Sequence, residues 1–158
     1  MNNRHVIIDG FNVIFGDSHL NRQFHASQDA AKASLIEMAR QVYDTEHLQM
    51  SVVFDGKGDA ISMEHPSRDT SFTIIHSSSS VSADGVIERM LARSKQTRDI
   101  TVVTNDGLIQ NATRACGAEP MRVDDFTSWV KACERKACSG LNRRQQHTRE
   151  EWSNRLPL

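Results

Sequence analysis

The chain has 158 residues, 38% hydrophobic and 25% charged, with a formal net charge of −1. That is one domain's worth of chain, at a size where folding removes roughly 70% of the extended surface from water. The near-neutral balance excludes a binder of polyanions by bulk charge, and no apolar stretch approaches the ~20 residues of a membrane span, so no membrane partner is expected.

Asn2, Asn3 and Arg4 lead straight into a strand-like run, with no signal-peptide pattern. Cys116, Cys133 and Cys138 are odd in number and irregular in spacing, which predicts reduced thiols and a cytoplasmic location. No His or Cys at zinc spacing accompanies Cys133 and Cys138, so packing is the expected role of both.

The first expected strand covers 5–8 and ends on Asp9-Gly10, followed by Asn12. Asp-Gly is a favoured turn pair, so Asp9 can simply end the strand; Asn12 follows at a distance suited to a loop folding back, and its amide can hold a carboxylate or a phosphate oxygen. Residues 16–27 are polar and predict a functional loop or mobile connection. A helix follows, with Ser27 placed to cap it and Ala31, Leu35, Met38 and Val42 on one face.

The second strand, around 50–54, ends on Asp55-Gly56, with Lys57 and Gly58 suggesting a backbone-rich turn carrying a cation. Residues 56–70 are a second polar stretch without an assigned element. A third strand is expected around 72–76. After the serine run Ser77–Ser80 a helix starts at Ser80 or Ser82 and reaches about Gln96, with Ile87, Met90, Leu91 and Ser94 inward. Asp84 sits in its first turn, where the helix dipole favours a negative charge, and Glu88 shares its face. Both also suit a solvated helix surface.

A fourth strand around 100–104 ends in Thr104-Asn105-Asp106. Asn105 or Asp106 can cap the next helix and Gly117 can stop it. One cap needs one side chain, yet three polar ones stand in succession there. A fifth strand is expected around 119–123, then a helix after Asp124 with Phe126, Trp129, Val130, Cys133 and Ala137 as its apolar stripe. From Lys131 to Arg149 six basic residues (Lys131, Arg135, Lys136, Arg143, Arg144, Arg149) face one acid, Glu134, a local net of +5. The division expected is a domain over 1–138 and, over 139–158, a basic tail or loosely docked helix anchored only by Leu141, Trp152 and Leu156.

Strand-like and helix-like segments alternate, the pattern of an α/β domain with a mostly parallel sheet, here of about five strands. In such a sheet ligands bind beyond the carboxyl ends of the strands, and Asp9, Asp55, Asp84 and Asp106 all fall at strand ends or helix starts on that edge. Mutual repulsion makes it costly to keep them ionised, and a divalent cation removes the cost. Hard oxygen donors suit Mg2+ or Mn2+, and one or two such ions can activate a water against a phosphodiester. The histidines, among them His5, His25, His65 and His76, show no spacing that suggests a base or a ligand.

The order Ile-Ile-Asp9-Gly-Phe-Asn12, Val-Val-Phe-Asp55-Gly, Ser82-Ala-Asp84-Gly-Val-Ile-Glu88, Val-Val-Thr104-Asn-Asp106 and Gly117-Ala resembles the YacP-like branch of the NYN domains, relatives of the PIN-domain ribonucleases. The likeness runs over roughly residues 5 to 130. It implies a three-layer α/β/α sandwich and metal-dependent endonucleolytic cleavage of RNA. It implies further that Asp9, Asp84 and Asp106 bind the metal, with Asp55 the supporting acid and Asn12 the asparagine of the motif. Thr104 and Asn105 would orient the last carboxylate or touch phosphate. Members often carry a second acid after the Ala-Asp pair where this chain has Gly85, so the remaining acid on that helix is Glu88. Candidate grips on RNA are Arg22, Lys57, Arg68, Arg89 and the basic C-terminal segment, with the hydroxyls of Ser77–Ser80 as weaker candidates. Which RNA is bound, mRNA, rRNA or tRNA, stays open, as does the oligomeric state. Two rivals stay open as well: an RNA-binding module without catalysis, ribosome-associated or tied to an RNA-processing partner, and a metal phosphatase of small substrates.

Overall fold

The computed structural model describes residues 3–66 and 68–155, with side chains described as far as residue 141. The side chains of Arg143, Arg144, Arg149 and Trp152, and Leu156 altogether, lie outside the described residues.

Six strands form one sheet in the order β3-β4-β2-β1-β5-β6. They are β1 (His5–Asp9), β2 (Gln49–Gly58), β3 (Ser62–Glu64), β4 (Phe72–Ser78), β5 (Ile100–Val103) and β6 (Glu119–Met121). All neighbours run parallel except β3, which lies antiparallel to β4 at the edge. Helices cover both faces: α1 (Gly10–Gly16), α2 (Ser18–Ala26), α3 (Gln28–Glu46) and α6 (Val123–Arg155) on one, α4 (Ala83–Arg93) and α5 (Gly107–Ala115) on the other.

Strand alternation sorts the core. Val6, Ile8, Val52, Phe54, Ile74 and Val103 pack toward α3 and α6, whereas Ile7, Val53, Ile75 and Val102 pack toward α4 and α5. A strand buried on both faces needs the near-continuous β-branched runs seen in β1, β2 and β5. Each such side chain, fully buried, contributes about 1.5–3 kcal/mol. From β1 the chain builds outward through β2 and β4, then crosses back to place β5 on the other flank. The switch point therefore lies between the carboxyl ends of β1 and β5, where ligands gather in open sheets of this kind.

Five strands were expected and six are present. The extra one, β3, has all three residues exposed, so no apolar alternation marks it in the sequence. Residues 16–27, expected as a loop, are mostly helix: Asp17 caps α2 by accepting from the Leu20 amide at 3.0 Å, and Leu20 is fully buried. Asn12 likewise lies in helix α1, not in a loop. Lys57 and Gly58 continue β2 rather than forming a turn.

The cap predicted for α3 is present, with Ser27 Oγ accepting from the Ala30 amide at 3.2 Å. Helix α4 stops at Arg93, short of Gln96, because Ser94 turns extended. Helix α5 ends before Gly117, whose φ of +82° is the left-handed stop expected of it. Along α6 Phe126, Val130 and Cys133 are buried, Trp129 is partly so and Ala137 is exposed. The boundary expected at 138/139 falls inside this helix. No described helix is long and apolar enough to cross a membrane.

Candidate functional site

Alternation decides which side chains reach the carboxyl edge. Asp9 follows Ile8 and Asp55 follows Phe54, so both carboxylates turn toward the face covered by α4 and α5. Thr104, directly after β5, turns the same way, and its hydroxyl donates to Asp9 Oδ2 at 3.1 Å. Thr104 Oγ1 in turn accepts the Asp106 amide at 3.1 Å, so one buried threonine sets the positions of two acids.

Asp106 caps α5, accepting the Leu108 amide on Oδ1 at 2.9 Å. Asp55 Oδ1 accepts the Ala83 amide at 2.9 Å and so ties the start of α4, with Asp84 next in the chain, to the end of β2. The cap role that its position allowed is thus present for Asp106, whereas Asp55 lies within β2 rather than ending it in an Asp-Gly turn. Asn12 Oδ1 accepts the Asn105 amide at 2.6 Å, and Asn105 Oδ1 accepts the Val123 amide at 3.0 Å. These two amides lock the turn after β5 to α1 and to the start of α6.

Two of the Asp-Gly pairs are fixed by close approach. A Cβ on Gly10 would stand 2.5 Å from the Phe54 ring, and one on Gly56 2.1 Å from the Ser77 carbonyl oxygen. Around Gly107 nothing lies within 4 Å, so that glycine is sterically free.

Asp9, 7% exposed, is the most deeply placed of these acids. Burial raises its pKa to about 6, with the charges of Asp84, Asp55 and Asp106 adding to the rise and the Thr104 hydroxyl opposing it. The Asp84 carboxyl is also raised, by burial first and then by Asp106, Asp55 and Glu88. The structure therefore brings Asp9, Asp55, Asp84 and Asp106 within electrostatic reach of one another and sets Glu88 at their margin. Among the described residues none of the five forms an ion pair.

The donor set fits a hard divalent cation: carboxylate oxygens only, concentrated negative charge, and no counter-ion among the described residues. Among the described residues no three His, Cys, Asp or Glu side chains stand close enough to close on one ion as placed. A magnesium-type ion takes one or two carboxylates directly and keeps water for the rest, so it does not require three to converge.

Arg22, Lys57, Arg68 and Arg89 are exposed, and Arg22 donates to the Ser18 carbonyl of its own helix. Arg89 and Glu88 line a shallow groove with Ser82 and Gly85 on the outside of α4. The serine run is used by the fold: Ser77 Oγ accepts the Gly56 amide, and Ser78 Oγ accepts the Val81 amide. A cavity of about 950 Å3, lined by His5, Tyr43, Gln49, Ser71 and Ile100 among others, opens at the amino ends of the strands, away from the acids.

One cation near the edge has no sequence signal. Lys32 of α3 lies over the Phe54 ring, 4.8 Å from its centroid, with Nζ 3.0 Å from His76 Nε2. Its position beside Ala31 on an amphipathic helix reads as a solvated flank, and only the end of β2 beneath it gives it a place at the edge. His76, whose spacing in the sequence suggests neither a base nor a ligand, meets Lys32 here.

The model of the YacP-like NYN domain matches residues 6–157. Two crystal structures of Rae1 (YacP) from Bacillus subtilis share the fold. The W164L mutant superposes with a TM-score of 0.75 at 21% identity, covering 90% of this chain and 84% of the other. The second has a TM-score of 0.73 at 23% identity, covering 98% and 86%. No curated protein matches the chain by sequence.

Proposed function

The chain belongs to the YacP-like NYN domain family, with its PIN-like fold, and from that membership and its acidic sheet edge we propose that it is a divalent-metal-dependent endoribonuclease. The observation that carries this reading is the uncompensated cluster itself. Asp9 is buried with its pKa raised to about 6 among three further carboxylates, and no described basic residue pairs with any of them. Desolvating like charges without a partner destabilises a fold, and strongly perturbed carboxylates gather where function requires them.

Asp9, Asp84 and Asp106 are the residues to hold Mg2+ or Mn2+, with Asp55 and Glu88 adding charge at the margin. A bound divalent ion would supply the positive charge that eases loss of a proton from water near neutral pH and offsets charge growing on the phosphate. Thr104 keeps Asp9 and Asp106 in fixed relation through its two hydrogen bonds. Asn12 and Asn105 hold the turn that carries Asp106, so the acid does not have to be ordered when substrate arrives. Phosphodiester oxygens of RNA would approach from the open carboxyl edge, where Asn105 and Lys57 are exposed.

A second reading is an RNA-binding module without catalysis, favoured by the spacing that keeps any three acids from converging on one ion. One experiment separates the two. Purified protein is incubated with a mixed-sequence RNA in Mn2+ or in EDTA, beside Asp9→Asn and Asp106→Asn. The ribonuclease reading expects Mn2+-dependent internal cleavage that falls at least a hundredfold in either variant. RNA binding with no cleavage in any condition would establish the module instead.

A further inference from the structure

The two faces of the sheet edge are chemically unlike. Asp9, Asp55 and Thr104 turn toward α4 and α5; Phe54 and His76, one residue out of phase with that set, turn toward α1 and α3. On this second face a row of rings crosses the edge. His76 stacks on Phe54 at 5.8 Å, Phe54 meets Phe11 edge-on at 5.3 Å, and Phe11 stacks with Phe15 at 6.2 Å. Phe24 braces the end of the row, 4.9 Å from Phe15.

The row reaches the surface at Phe15, while Phe54 within it is fully buried. Phe15 is 53% exposed despite its contacts with Phe11 and Phe24, which are partly buried against the core. At the other end Lys32 rests on Phe54 and on His76. Burial, then the Lys32 charge, holds the His76 ring below its usual pKa, so the neutral ring accepts from the ammonium. No carboxylate pairs with Lys32 among the described residues. An ammonium has three donors and one is used among the described residues, leaving the others for an oxygen anion.

Resting on the ribonuclease reading, we propose that this row is a strand-binding site in which Phe15 stacks on an unpaired base and Lys32, positioned by His76 and Phe54, binds a backbone phosphate flanking the one at the acids. Alternating cation and aromatic surface is what single strands require, because every base offers a π-face and every linkage a charge. Phe54 and Asp55 are consecutive, so a strand passing over the end of β2 meets the acids on one side and this row on the other. A duplex keeps its base faces inside the stack and gains nothing from Phe15.

The test is fluorescence anisotropy of a labelled short oligouridylate in EDTA, where no cleavage occurs, with circular dichroism confirming that each variant is folded. Lys32→Gln is expected to weaken binding several-fold and to lower the slope of log affinity against log salt by about 0.7, the share of one phosphate on a single strand, while Lys32→Arg keeps the slope. Phe15→Ala is expected to lose about tenfold on the oligouridylate and little on an abasic strand of equal length, with Phe15→Tyr retaining affinity. Wild-type slope in Lys32→Gln, or an equal loss in Phe15→Ala on both strands, overturns the inference. If the wild-type protein binds no strand at all the inference falls too, whereas the ribonuclease reading is decided separately by its own cleavage assay.

Discussion

At the scale of single residues Asp9 carries the largest energetic consequence. Its carboxyl holds a proton more tightly in the fold, with a pKa of about 6, than in the unfolded chain, where the ordinary value is 3.8. The folded state therefore binds more protons between those values, and the stability that Asp9 contributes is whole below about pH 4 and lost as pH rises through 6. The full difference is about 3 kcal/mol at neutral pH in the absence of a cation. Asp9→Asn keeps an acceptor for the Thr104 hydroxyl and removes the charge. Denaturant titrations in EDTA are expected to find this variant more stable than wild type by about 2–3 kcal/mol near neutral pH, with the gap closing toward pH 4. A gap independent of pH would show that the Asp9 carboxyl is not raised.

At the scale of elements the acids depend on close backbone packing at the end of β2. Gly10 starts α1 against the Phe54 ring, and a methyl group there has no room at 2.5 Å. Gly10→Ala is expected to cost about 1–3 kcal/mol in thermal or denaturant unfolding, whereas Gly107→Ala, with open space around it, is expected to be neutral or stabilising. Equal effects at the two positions would remove the distinction drawn between these Asp-Gly pairs.

Much of this was legible in the sequence, and for physical reasons. The β-branched runs ending on Asp9 and Asp55 read as buried strands because both faces of a parallel sheet are covered. Ser27, Asp106 and Gly117 read as helix boundaries because capping is local chemistry. What escaped depends on distant parts of the chain. Helix α1 is only seven residues long, has no side-chain cap and is held by buried Val13 and Ile14, and α2 is mostly polar, held by one cap, by Leu20 and by the contact of Phe24 with Phe11. Strand β3 buries nothing and exists through its pairing with β4. Lys32 and His76 are far apart in sequence and are joined only by the fold.

At the scale of the molecule charge is segregated rather than abundant. The chain is nearly neutral overall, yet Asp9, Asp55, Asp84 and Asp106 gather on one face of the sheet edge while Lys32 stands on the other. Helix α6 is tied to the body near its start, where Glu46 at the end of α3 accepts from the Trp129 indole at 3.2 Å and meets the Lys136 ammonium at 3.4 Å. The segregation has a purpose only if something neutralises the acids. Ligands that bind the native state alone stabilise it, by about 2.7 kcal/mol at a hundredfold excess over the dissociation constant. Calorimetric titration of Mn2+ into the protein near neutral pH measures that neutralisation directly. Saturable binding that weakens at least tenfold in both Asp9→Asn and Asp106→Asn is the expected result. No binding, or binding untouched by either substitution, would contradict a metal site at the carboxyl edge.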